Sequence, residues 1–174
     1  MNSRDLLIEL FDRVPPVVHG AVDGLDQADL ARTPAPGANP VGWLLWHLAR
    51  VQDNHVAQLM GQQPVWAAGE WAGGFGLDPD PDNTGYGHSQ DEVAKVQPRD
   101  SAVIVGYHDV VAARTRGYLE QLSAGDLDEI IDRSFQPPVT RGARLVSVAV
   151  DDLQHAGQAA YVRGLIVAAR PPSG

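Results

Sequence analysis

Apolar residues recur at helical spacing in four long stretches of this chain, and they almost never alternate as a half-buried strand requires. The first stretch carries Leu6, Leu7, Leu10, Val14, Val17, Val18 and Val22 behind Ser3, a residue suited to cap a helix. Pro15 and Pro16 fall inside it, so a kink or break is expected there. Asp26 can cap a short turn reaching Leu30, and Thr33 to Gly37 reads as loop. Asn39-Pro40 predicts the start of a second helix, a capping residue followed by proline at the first helical position. That helix should run to about Met60, stop at Gly61, and carry Trp43, Leu44, His47, Val51, Asn54 and His55. Asp100 predicts a third helix from Ser101 to about Leu122, with Val103, Tyr107, Val111, Arg114 and Tyr118 in register. A short turn opens at Ser123 with Leu127, Ile130 and Ile131, and Gln136-Pro137-Pro138 is loop. The last helix should run from about Arg141 to Ala169, where Pro171-Pro172 ends it.

This pattern predicts an all-α chain, a single domain over residues 1–174. A four-helix bundle with long connecting loops is the economical way to bury four such stripes. Between Gln62 and Pro98 the periodicity lapses, yet Trp66, Glu70, Trp71, Phe75 and Tyr86 sit there among many Gly, Pro and Asp. A connection of that length is functional or poorly ordered, and its aromatics predict packing over something, as a lid or as a plug for the bundle end.

Composition narrows the function. Hydrophobic residues make up 44% of the chain and charged residues 20%, enough apolar surface for a core and too little charge for wholesale disorder. The net charge of −9 disfavours a nucleic-acid partner and an anionic membrane surface, since both need a basic patch. No apolar run reaches transmembrane length and Met1–Asp5 opens no signal peptide, so a cytoplasmic location is expected. There is no cysteine, which excludes disulfides, thiolate metal ligands and a cysteine nucleophile. Any metal must therefore be held by His, Asp and Glu.

Asp151 and His155 stand four residues apart in the last helix, one turn above the other, on the face of Val148 and Ala159. Buried polar groups need partners, and a divalent ion is one answer, because zinc, nickel and iron all accept imidazole and carboxylate. A mutual Asp–His hydrogen bond is the other. His47 lies on the inner face of the second helix and can be either a third ligand or a satisfied core histidine. Three inward ligands from two helices would leave an open coordination position, the arrangement of a catalytic site.

The string Pro40-Val41-Gly42-Trp43-Leu44-Leu45-Trp46-His47-Leu48-Ala49-Arg50 resembles the second helix of the DinB-like superfamily. Asp151-Asp152-Leu153-Gln154-His155-Ala156-Gly157-Gln158 resembles its last helix. The resemblance implies a four-helix bundle with a three-residue metal site at His47, Asp151 and His155, zinc foremost, with nickel or iron as alternatives. Many members use three histidines. The mycothiol-dependent maleylpyruvate isomerase branch has a carboxylate in the middle position, and this chain is similar to that variant, with aspartate where glutamate is usual. The isomerase's additional C-terminal domain is not expected in this chain, so its substrate residues are not carried over.

What the resemblance implies is therefore a metal-dependent S-transferase, with mycothiol as the thiol cosubstrate and a small electrophile as acceptor. The arginine-rich, lysine-poor composition suits a GC-rich actinobacterial source, where mycothiol is the expected thiol. Arg163, two turns beyond His155, and His88, on the long loop, are the expected cofactor-binding residues. Arg50 and Asn54 are expected to support His47. His55 is about 12 Å along the helix from His47, too far to share the ion. His19 has no evident partner, and His108 is expected to be exposed. The alternative function is a stress-response bundle that binds metal or ligand without turnover. Homodimerisation through the long loop and first helix is a further expectation.

Overall fold

The computed structural model describes residues 1–170, so the expected Pro171-Pro172 stop lies outside the described residues. The chain is mostly helical: α1 (Ser3–Asp12), α2 (Val14–Val22), α3 (Gln27–Leu30), α4 (Val41–Met60), α5 (Val65–Ala68), α6 (Trp71–Gly74), α7 (Gln90–Val93), α8 (Ser101–Gln121) and α9 (Arg141–Ala168). The first apolar stripe does break at the double proline. α1 ends at Asp12, and α2 takes Pro15 and Pro16 into its first turn, where a missing N–H leaves no bond unmade.

Three local expectations need correction. Asn2, not Ser3, caps α1: its side chain accepts from the Asp5 amide while Asp5 reaches back to the Asn2 N–H. Asn39 does not cap α4, which begins at Val41 with Pro40 in the cap position and no side-chain cap bond. Ile130–Asp132 is not part of a turn but a short strand, β1, paired antiparallel with a second, β2, at Val139–Thr140. Their Ile, Val and Thr side chains favour extended backbone, and Thr140 then caps α9. The other ends agree with expectation, including Gly61 left-handed at φ 64° after α4 and the Asp100 cap on α8.

The long helix α4 packs against both α8 and α9, and α2 also packs on α8 and α9. The core falls into two apolar clusters. The larger gathers α2, most of α4, the first half of α8 and the second half of α9, with Trp66 and Phe75 from the long connection. The smaller joins Leu7 and Phe11 of α1 to Val56, Tyr118, Leu145 and Val148. Burying each large side chain contributes roughly 1.5–3 kcal/mol. Between the clusters α4, α8 and α9 each present a fully buried polar residue, Gln52, Thr115 and Asp152 respectively. The aromatics of residues 62–98 are therefore a plug and not a lid: Trp66 and Phe75 are completely buried and pack on Tyr107, with Trp66 also on Trp46.

Candidate metal centre

His47 comes from the most enclosed part of α4, where every residue from Val41 to Arg50 is buried. Its ring stacks on Trp43, with centroids 4.7 Å apart and planes 12° from parallel. Its Nδ1 donates to the Thr84 carbonyl at 2.6 Å, which leaves the Nε2 lone pair free. Thr84 is held there by Arg50. That fully buried guanidinium donates to the Asn83 carbonyl at 3.1 Å and the Pro81 carbonyl at 2.7 Å, drawing the loop onto α4. The loop can approach so closely because the next residue is Gly85: at φ +89°, a Cβ would lie 2.8 Å from both His47 Nδ1 and the Trp46 ring.

α9 supplies the other two groups. Asp151 and His155 sit one turn apart, with His155 Nε2 3.5 Å from Asp151 Oδ1. His155 Nδ1 donates to Gln158 Oε1 at 2.9 Å, again leaving Nε2 toward the cluster. The His155 ring meets His47 edge to face at 4.8 Å. One ligand-type atom from each of His47, Asp151 and His155 lies within 4.8 Å of the others.

The residues fit a divalent cation on two grounds. Each imidazole has its far nitrogen tied to an oxygen acceptor, which orients the ring and raises its basicity toward an ion. Asp151 Oδ2 is buried without a hydrogen-bond partner, so a mutual Asp–His bond does not satisfy the pair. The protonation equilibria agree. Burial, above all, holds the His47 pKa below its usual value, keeping the ring neutral. Burial works to raise Asp151, but the hydrogen bond and charge of His155, with His47 beside it, leave the carboxyl below its usual range. His155 is raised, chiefly by its hydrogen bond to Asp151.

A cavity of about 460 Å³ opens on this cluster, lined by Val51, Asn54, His55, Thr84, Tyr86 and Ser147 besides His47 and Asp151. Tyr86 stands at the rim 92% exposed. His55 also lines a second cavity, of similar size, under the β1–β2 hairpin, where Arg144 donates to its Nδ1 at 2.9 Å. It is thus a wall residue of both cavities.

The two expected cofactor-binding residues do not line this cavity. Arg163 donates to the Asp23 carbonyl at 2.9 Å, and its guanidinium lies 3.6 Å from the Asp23 carboxylate, pinning α9 to the end of α2. His88 accepts from Trp43 Nε1 at 3.2 Å and bonds Asn83 at 2.9 Å through its other nitrogen, so both ring nitrogens hold the loop in place. Arg50 supports the site as expected, through the loop and not through His47 itself. His19 has a partner after all, Asp109 at 2.8 Å. His108 is fully buried, not exposed, with no hydrogen-bond partner on either ring nitrogen.

Asp152 went unrecognised as a site neighbour. It is 0% exposed with both carboxylate oxygens unpartnered, and burial, reinforced by Asp151, drives its pKa far up. The signal was present in the sequence: Leu145, Val148, Ala149, Asp152, Ala156 and Ala159 mark the centre of the inner stripe, and Asp151 and His155 flank it.

Helix order, the ligand trio on facing helices and the loop-buttressed histidine invite comparison with known proteins. The sequence model of the DinB superfamily matches residues 10–159. The chain belongs to the DinB superfamily. A crystal structure described as the conserved protein of a locus from Enterococcus faecalis superposes with a TM-score of 0.89 at 33% identity, covering 97% of this chain and 99% of that one. No curated protein matches the chain. No helix among the described residues is long and apolar enough to cross a membrane.

Proposed function

We propose that this DinB-superfamily protein is a metal-dependent S-transferase that joins a low-molecular-weight thiol, mycothiol by the sequence resemblance, to a small electrophile. The reading treats the α1–α2 arm, α4, α8 and α9 as a four-helix bundle whose facing helices α4 and α9 carry the site. One observation carries it: His47, Asp151 and His155 converge, each with a free ligand atom, beside a cavity large enough for a small substrate. His47, Asp151 and His155 would hold the ion, and zinc suits three such ligands with one position open. A divalent ion there supplies Lewis acidity, lowering the pKa of a thiol bound in the open position.

The chain's own residues supply the rest. Two neutral imidazoles and one carboxylate leave the centre with net positive charge, which favours an anionic sulfur. The Thr84 carbonyl and Gln158 Oε1 fix the ring orientations in advance. Trp43 excludes water from one face of His47 by stacking on it. Val51, Asn54 and Tyr86 bound the space for the acceptor.

The test is elemental analysis of the purified chain and of His47→Ala, followed by a thiol-transfer screen that begins with mycothiol. About one zinc, nickel or iron per chain, lost in the variant together with thiol consumption, is the expected result. Metal binding without turnover on any thiol–electrophile pair would leave a non-catalytic binding protein. No metal after reconstitution would overturn both.

A further inference from the structure

The longest helix shows an outer face unlike the rest of the surface. From Ala143 to Ala169, no exposed residue of α9 or its C-cap carries a charge, in a chain of net charge −9. The exposed positions of α8, by contrast, include Asp109, Arg116 and Glu120. Large apolar groups stand in water along the α9 face: Val146 is 49% exposed, Val150 43%, Leu153 36% and Tyr161 69%. A continuous uncharged, partly apolar helix face about 37 Å long marks an interaction surface.

The spacing along that face is informative. Val146, Val150, Leu153, Gly157, Ala160, Gly164 and Val167 follow one another at steps of four and three, the repeat of a helix seam that meets another helix. The first three positions of the seam are bulky and the next three, Gly157, Ala160 and Gly164, are small. Gly157 and Gly164 have no positive φ, and a Cβ on either would touch nothing in this chain. Each glycine costs a helix interior about 1 kcal/mol relative to alanine. Neither backbone geometry nor packing within this chain explains their presence, whereas the close approach of another helix does.

We infer that α9 is the interface of a homodimer, two copies packed antiparallel about a two-fold axis that crosses the outer face of α9 at the level of His155. The pattern is self-complementary in that arrangement. Leu153 and Gly157, Val150 and Ala160, and Val146 and Gly164 each lie equally far on either side of His155. An antiparallel mate therefore sets each bulky residue into the hollow over a small one, and the two-fold repeats every contact. Parallel packing would set bulk against bulk and hollow against hollow. Charge favours a second copy through this face in particular, because two chains of net charge −9 repel least where neither presents a carboxylate. The interface would differ from the long loop and first helix expected from sequence.

The absence of cysteine makes the test direct. Sedimentation of the full chain should give twice the monomer mass, and Val150→Glu, on the exposed face, should give a monomer with unchanged circular dichroism. The Val150→Cys and Ala160→Cys chains, mixed and oxidised, should form a disulfide joining one of each. Neither variant alone should cross-link, because identical positions would be separated by ten residues, about 15 Å along the axis. A monomeric wild-type chain at all concentrations would overturn the inference, and so would a dimer that Val150→Glu leaves intact. Cross-linking of Val150→Cys to itself would refute the antiparallel arrangement.

Discussion

Two buried aspartates on facing helices have opposite surroundings. Asp53 of α4 is 0% exposed in its side chain and accepts from the Val65 and Trp66 amides at 2.9 Å each and from the Tyr107 hydroxyl at 2.8 Å. The Arg50 guanidinium lies 3.4 Å away and also spans the Trp66 ring. Asp152 of α9 is as deeply buried and accepts nothing, while its neighbour Asp151 leaves one oxygen unpartnered. A satisfied buried network is scaffold: Asp53 and Arg50 fasten the long connection to α4, which in turn sets Thr84 against His47. Unsatisfied buried oxygens are costly, and a fold retains them where something else completes them. In this protein one of them, on Asp151, lies beside two imidazoles with free lone pairs.

The largest expected effect comes from breaking the satisfied side. Asp53→Ala strands a buried guanidinium, a tyrosine hydroxyl and two amides, and should cost about 3–5 kcal/mol by urea unfolding. A loss under 1 kcal/mol would mean that the network is not scaffold.

His108 provides a control, an unsatisfied buried group with no ligand cluster around it. Burial lowers its pKa to about 4, with the nearby Asp109 opposing and His19 adding to the shift. The unfolded ring titrates near 6.5, so between pH 6.5 and 4 the unfolded chain binds the extra proton. Stability is therefore retained above pH 6.5 and lost as pH falls toward 4, by about 3 kcal/mol. His108→Leu should flatten the corresponding part of the Tm–pH curve, and an unchanged slope would count against the burial argument.

Asp151→Asn separates scaffold from site. Without metal it should change stability by less than about 1 kcal/mol, since the amide keeps an oxygen toward His155 and Oδ2 has no partner to lose. With zinc at a hundred times its dissociation constant, the wild-type chain should gain about 2.7 kcal/mol and the variant nothing. Equal zinc stabilisation of both chains would remove Asp151 from the ligand set.

Much of this arrangement was legible along the chain. The four stripes, the proline break, the Gly61 stop and the Asp100 cap are local matters of period, missing donors and backbone freedom. The Asp151–His155 pairing follows from helical pitch alone. The hairpin before α9 was not legible, because two strands of three and two residues are too short to show a period. The burial of His108 was missed because one helix face shades into the next, and the neighbours decide which residue is covered. Arg163 reads as a ligand-binding arginine from its distance to His155, and only the fold shows that Asp23, far away in sequence, engages it.

The sequence by itself determined which segments are helical and which residue types could hold an ion, because both depend on interactions within a few residues. Tertiary structure alone decided that His47, 37 positions before Thr84 and 104 before Asp151, meets Asp151 and His155. It did so through Arg50 and Gly85, which bring the Thr84 carbonyl onto the His47 ring. Long-range contacts of that kind depend on which apolar faces pack together, and no local pattern encodes the pairing.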